Sequence, residues 1–201
     1  MVPCRFDPVV FECVASIRAH HPDDRVVVVD SYSPDPSYLD ALDADVVFKR
    51  NRDYMTGAYR MALDTLTSDR WAFIHDSLIV ESPVDQFDTA VVRTIDGFIP
   101  QDQRPYADQQ LARMGLAEPA SYLGVFGTML FAPDDVVQQI RQLGFFDVDI
   151  PTKVAASATE RTLGVALAHL GIEPVSIQGH HSDPWAVHDN TFVRKQFRDR
   201  P

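Results

Sequence analysis

The chain has 201 residues, 45% of them hydrophobic and 23% charged, the make-up of a folded globule rather than of a disordered chain. Its net charge of −11 repels phosphate backbones, and the one basic stretch, residues 193–201, is too short to form an extended nucleic-acid surface. Two cysteines, Cys4 and Cys13, exclude a disulfide scaffold and a four-cysteine zinc site, and fit a reducing compartment.

No apolar run approaches the ~18–20 residues of a membrane span, so no transmembrane segment is expected. Residues 1–8 lack the basic and apolar blocks of a signal peptide, and the expected location is the cytoplasm. No repeat, low-complexity tract or Gly/Ser linker interrupts the chain, so residues 1–201 read as a single domain. Val10, Val14 and Ile17 share one face of a helix over 8–20. Val26–Val29 is a β-branched run ending at Asp30, the pattern of a buried parallel strand. Turn residues 31–36 and a short helix around 37–43 lead to a strand over 45–48, and a helix runs from about Gly57 to Leu66. Trp71–Ile74 is a third strand that runs straight into His75-Asp76-Ser77.

The second half is less regular. Val91–Ile99 reads as one strand or two, 107–114 as a short helix and Thr128–Phe131 as a strand. Val136, Ile140 and Leu143 mark a helix, Leu163 to Leu170 another, and Val175–Ile177 a last strand. Strands alternating with helices predict an α/β protein, a three-layer α/β/α sandwich around a mainly parallel central sheet. Ligands of such sheets sit at the carboxyl ends of the strands, where Asp30, Arg50 and Asp76 fall.

Asp76 leaves a buried strand at its carboxyl end, which suits either a capped turn or a hard divalent cation that also holds a diphosphate. Asp30 suits either an Asx-turn or a hydrogen bond to a base or ribose. Glu160 closes Ser157-Ala158-Thr159-Glu160, a capping box in front of an amphipathic helix. His180-His181 follows the last strand, either as polar loop or as a site where an imidazole could bind Mn²⁺. Dinucleotide, P-loop, zincin and nucleophile-elbow motifs are missing from the chain.

Several segments in order resemble the GT-A-fold glycosyltransferases, the inverting family 2 type especially. They are Val2-Pro3-Cys4, Val26 through Asp30-Ser31, Asn51 through Gly57-Ala58-Tyr59-Arg60, and Phe73-Ile74-His75-Asp76-Ser77. Gly127–Phe131, Gly144–Asp147 and Glu160-Arg161 are similar to the acceptor half of that family, and the likeness covers about 2–82 and 124–182. The resemblance implies a GT-A-like fold, with a nucleotide-binding half at about 1–82 and an acceptor half with its tail at about 83–201. It implies transfer of a sugar from a nucleotide-sugar donor to a hydroxyl acceptor, assisted by Mn²⁺ or Mg²⁺. Asp30, Ser31, Arg50, Gly57, Arg60 and His75 would bind the nucleotide, Asp76 and His181 the metal, and Glu160 would be the base, with Asp147 and Asp149 as rivals. Only Asp76 of the usual acid pair is present, so a degenerate binding protein is the alternative. A nucleotidyltransferase is a further one, although residues 4–8 lack the Gly-rich loop of that class.

Overall fold

The structure is a computed structural model and describes residues 1–4, 8–83, 89–176 and 193–195. It is a mixed α/β protein. In chain order it runs β1 (Val2–Cys4), α1 (Val9–His20), β2 (Val27–Asp30), a 3₁₀ turn (Ser37–Ala41), β3 (Val46–Phe48) and α2 (Tyr54–Thr65). There follow β4 (Arg70–Phe73), β5 (Leu78–Val80), β6 (Val91–Asp96), α3 (Arg104–Met114), β7 (Leu123–Pro133) and α4 (Asp134–Gln142). A second 3₁₀ turn (Phe145–Asp147), α5 (Lys153–His169), β8 (Val175–Ser176) and β9 (Val193–Lys195) complete the chain. Among the described residues no helix is long and apolar enough to cross a membrane.

Strands β1, β2 and β3 form a parallel sheet in the order β1-β2-β3. A second set, in the order β4-β7-β6-β8, pairs β7 antiparallel with both β4 and β6, and β8 parallel with β6. Met1 joins the two. Its N-terminal ammonium donates to Ala72 O at 2.6 Å, and its carbonyl accepts from Ile74 N at 3.0 Å. A residue that bonds in this way to the residues on either side of Phe73 is in parallel register with it. The seven strands therefore continue as β3-β2-β1-β4-β7-β6-β8, with β7 running against the other six. The parallel part of the architecture is the small β1–β3 sheet; the second set is built on antiparallel pairings of β7, to which Thr128–Phe131 belongs. A two-stranded antiparallel ribbon of β5 and β9 lies apart from it.

The strands bury both faces. Val27, Val29, Trp71, Phe73, Leu130 and Ala132 point into one cluster with residues of α2, α3, α4 and α5. Their neighbours Val26, Val28, Ile74, Met129 and Phe131 point into a second, with α1 and the first 3₁₀ turn. This period-2 alternation, apolar on both sides, is why the strands read as continuous apolar runs. At the centre of the first cluster Tyr59 stacks on Phe73 with ring centroids 4.4 Å apart, and Phe146 meets both edge-on.

Helix α5 begins earlier than expected. Thr152 is its N-cap, accepting from Ala155 N at 3.1 Å through Oγ1, so Ser157 and Glu160 lie inside the helix and form no capping box. The helix packs closely on β7, where a Cβ on Gly164 would come within 2.0 Å of Leu123 O. Helix α2 likewise starts at Tyr54, before Gly57. Thr152→Ala is expected to lower unfolding stability by about 1 kcal/mol in denaturant titration, and Ser157→Ala by less than about 0.5 kcal/mol.

Candidate functional site at the carboxyl edge

Parallel strands place their carboxyl ends on one edge, so Cys4, Asp30, Phe48 and Phe73 end side by side, and β7 begins beside the end of β6. Asp30 and the segment after Phe73 flank β1, a separation of roughly 10 Å for two strand spacings. Both Asp30 and Asp76 are buried there, 2% and 4% exposed.

Asp30 is already well bonded. Its Oδ2 accepts from Ser33 N at 3.0 Å, and its Oδ1 accepts from the Ser33 hydroxyl and from Tyr38 Oη at 2.7 Å. A carboxylate offers about four lone-pair positions, and three are taken. Burial pushes the Tyr38 hydroxyl well above its ordinary range, which keeps it a proton donor to Asp30. The turn reading of Asp30 is thus realised, leaving room for about one further donor from a ligand.

Asn51 knots the loops together. Its backbone N–H extends the β2 ladder to Asp30 O at 3.0 Å, as Ser31 N does to Cys4 O at 2.7 Å. Its side-chain amide donates to Ser31 Oγ at 3.0 Å and to Tyr54 O, and its Oδ1 accepts from Asp53 N at 3.2 Å. Gly57 abuts this knot, since a Cβ there would lie 2.5 Å from Asn51 Oδ1. Gly57 therefore serves the packing of α2 on its own leading loop. Arg60 pairs with Asp53 at 2.9 Å, both partly exposed. Arg50 is exposed, as are Lys49 and Arg52, which makes residues 49–52 a cationic loop on an otherwise acidic chain. Arg52 lies 5.1 Å from the ring centre of the exposed Tyr32 and donates to its hydroxyl at 2.8 Å.

Among the described residues the non-glycine positions with positive φ are Tyr32 (61°), Arg50 (71°), Tyr54 (49°) and Thr128 (50°). Tyr32 and Arg50 each sit two residues beyond a strand end, and Tyr54 opens α2. Thr128 reaches Met55 of α2, Oγ1 to Sδ 3.6 Å. Each costs roughly 1–2 kcal/mol for a residue with a Cβ, so the edge is held in a conformation that its side chains disfavour.

His75 hydrogen-bonds through Nε2 to Gly127 O at 2.9 Å. A Cβ on Gly127 would come within 2.6 Å of the ring, so glycine is needed for this approach. Here β7 bulges against β6, where its register shifts between Val92 and Thr94. Next to His75, Asp76 adds its charge to the burial that pushes the Cys13 thiol up to about 12. Burial, with the same charge, also raises the Tyr59 hydroxyl. The charge of Asp76 thus reaches Cys13 on α1 and Tyr59 on α2.

Glu160 stands on α5, 15% exposed, and accepts from Arg161 Nη1 at 3.0 Å, while Arg161 Nε reaches Phe98 O at 3.3 Å. Phe98 follows β6, so the Glu160–Arg161 pair lies near the carboxyl end of that strand. Asp147 ends the second 3₁₀ turn, and Asp149 lies 3.8 Å from Arg113, both exposed. His181 lies outside the described residues, with His180, Trp185 and Phe192.

Among the described residues no three His, Cys, Asp or Glu side chains converge as a cation site. Asp76 is the single carboxylate at its strand end, Asp30 is two strands away, and His75 is bonded to Gly127. Among the described residues these donors do not make a protein-built Mn²⁺ or Mg²⁺ site. No family model matches the chain, and no curated protein matches it.

Asn51, Tyr38, Ser33 and Gly127 were not among the residues expected at the site. Asn51 and Gly127 open segments of the resemblance without a role assigned to them, and Ser33 and Tyr38 are signalled only by the turn-forming and polar residues that follow the apolar run 26–29. Tyr38→Phe removes the donor from a buried carboxylate, and thermal or denaturant unfolding should show a loss of about 1–3 kcal/mol.

Proposed function

We propose that the chain is a GT-A-like glycosyltransferase that binds a nucleoside-diphosphate sugar at this carboxyl edge and passes the sugar to a hydroxyl acceptor. The observation that carries the reading is the strained cationic loop 49–52 beside two buried acids on one edge of the sheet. Strain concentrated at one edge of an otherwise regular sheet marks a place held for a ligand rather than for packing. A diphosphate would answer the charge of Lys49, Arg50 and Arg52, and Tyr32 would present an aromatic face beside it. Asp30 and Ser31 would receive the nucleoside, with Asn51 fixing both loops.

In this reading the helices on either face of the sheet make the three-layer α/β/α fold. Residues of about 1–82 hold the donor, and those of about 83–201 hold the acceptor. Glu160, oriented by Arg161, would take the proton of the acceptor hydroxyl as it attacks the sugar, at the start of β7. The pairing of Glu160 with Arg161, which ties up the base, favours a second reading, a nucleotide-sugar-binding protein without turnover.

Thermal shift against a panel of nucleoside diphosphates and their sugars, with and without Mn²⁺, tests binding. Release of nucleoside diphosphate distinguishes transfer or hydrolysis from binding alone. A midpoint unmoved by every member of the panel overturns both readings. Arg50→Gly relieves the positive φ, so stability should stay level or rise by up to about 1 kcal/mol. Nucleotide affinity should fall at the same time. Equal affinity in variant and parent takes Arg50 out of the site. Glu160→Gln should retain the parental melting midpoint and lose at least about a hundredfold in turnover. Retained turnover moves the base to Asp147 or Asp149.

A further inference from the structure

The two acids of the carboxyl edge are poorly placed to receive a divalent cation. Such an ion, arriving with a substrate diphosphate, keeps several waters and needs a carboxylate oxygen open to the cleft. Asp30 and Asp76 are both buried, and Asp30 already accepts from Ser33 and Tyr38. Two strand spacings, roughly 10 Å, separate them, too far for one ion with ligand bonds of about 2 Å to bind both. His75 is drawn to Gly127 O through Nε2.

Positive charge stands on the loop after β3 instead. Lys49, Arg50 and Arg52 are exposed, and among the described residues Lys49 and Arg50 have no ion-pair partner. The acid next to them, Asp53, is answered by Arg60 at 2.9 Å, so it leaves the charge of the loop uncancelled. The loop is also fixed in place. Asn51, buried between the two arginines, bonds through its backbone N–H to Asp30 O and through its amide to Ser31 Oγ. Arg52 is held against Tyr32, and Arg50 keeps its left-handed backbone. Three cations are thus anchored to the end of β2, beside the acid proposed to receive the nucleoside.

We infer that this edge binds a nucleoside diphosphate without a divalent cation, Lys49, Arg50 and Arg52 holding the diphosphate in the place of a metal. The inference rests on the reading of the edge proposed above and specifies its phosphate chemistry. Each guanidinium offers a planar fork of donors that matches two phosphate oxygens, and the lysine adds a point charge. Because all three groups are exposed, binding through them weakens as salt rises. Removal of free metal leaves it unchanged.

The test is calorimetric titration of the full chain with uridine, guanosine, adenosine and cytidine diphosphates, once in EDTA and once in excess Mn²⁺. At least one should bind in EDTA with an affinity within about threefold of that in Mn²⁺. The double variant Arg50→Gln, Arg52→Gln should bind it at least about tenfold more weakly in EDTA. Arg50→Lys with Arg52→Lys keeps the charge and should recover part of the loss, which a merely structural role would not give. Binding in Mn²⁺ that disappears in EDTA overturns the inference and leaves the nucleotide reading of the edge standing. Equal affinity of the glutamine variant and the parent also overturns it, because the charge then comes from elsewhere. No binding of any diphosphate in either buffer overturns the reading of the edge and the inference with it.

Discussion

Two hydrogen bonds at Met1, one from its terminal ammonium and one to its carbonyl, tie the small parallel sheet to the set built around β7. The bonds to Ala72 O and from Ile74 N set β1 beside β4, and through them the parallel strands β1–β3 are continuous with the set built around β7. Everything at the carboxyl edge depends on that register. Asp30 and Asp76 share an edge because β2 and β4 are each parallel to β1, and neither local propensity nor turn chemistry could enforce this alone. The same register brings β7 between β4 and β6, so that its Gly127 bulge meets His75 and its first residues meet α5.

Given that frame, the edge is organised by polar groups that satisfy one another. Tyr38 and Ser33 hold Asp30, Asn51 holds Ser31 and the start of α2, and Arg60 holds Asp53. Buried carboxylates need such partners, because an unpaired one is costly to desolvate. The network serves the structure of this edge. It positions the loops that carry Tyr32, Arg50 and Arg52 and leaves those three side chains exposed. The positive φ values there are sustained by two well-packed clusters on either side of the sheet, whose burial far outweighs roughly 1–2 kcal/mol of strain per residue.

Much of this was legible in the residues. The runs Val26–Val29 and Trp71–Ile74, each ending in an acid or a His-Asp pair, announced buried strands with polar ends on one edge. The direction and length of β7 were not, because Gly124 and Gly127 break its pattern and only tertiary pairing reveals an antiparallel partner. The start of α5 was misread for a physical reason. Ser157 and Glu160 have the spacing of a capping box, but a helix begins where its first free amides find an acceptor, and Thr152 supplies it one turn earlier. Partners from other segments, such as the Tyr38 hydroxyl for Asp30 and the Gly127 carbonyl for His75, leave no periodic trace, so the bonded state of these residues could not be read beforehand.

The two edges of the sheet differ in a way that follows from one asymmetry. At the carboxyl edge each parallel strand runs on into a loop, and those loops bring polar side chains that close over the strand ends. At the amino edge the strands start unevenly, β2 at Val27 opposite Met1 and β4 three residues before the partner of Met1, at Arg70. At the carboxyl edge Cys4 pairs with Asp30, and the same register along β4 brings Asp76 to their level. The two buried acids therefore sit together where loops converge, and each can be held by polar groups that no single strand carries.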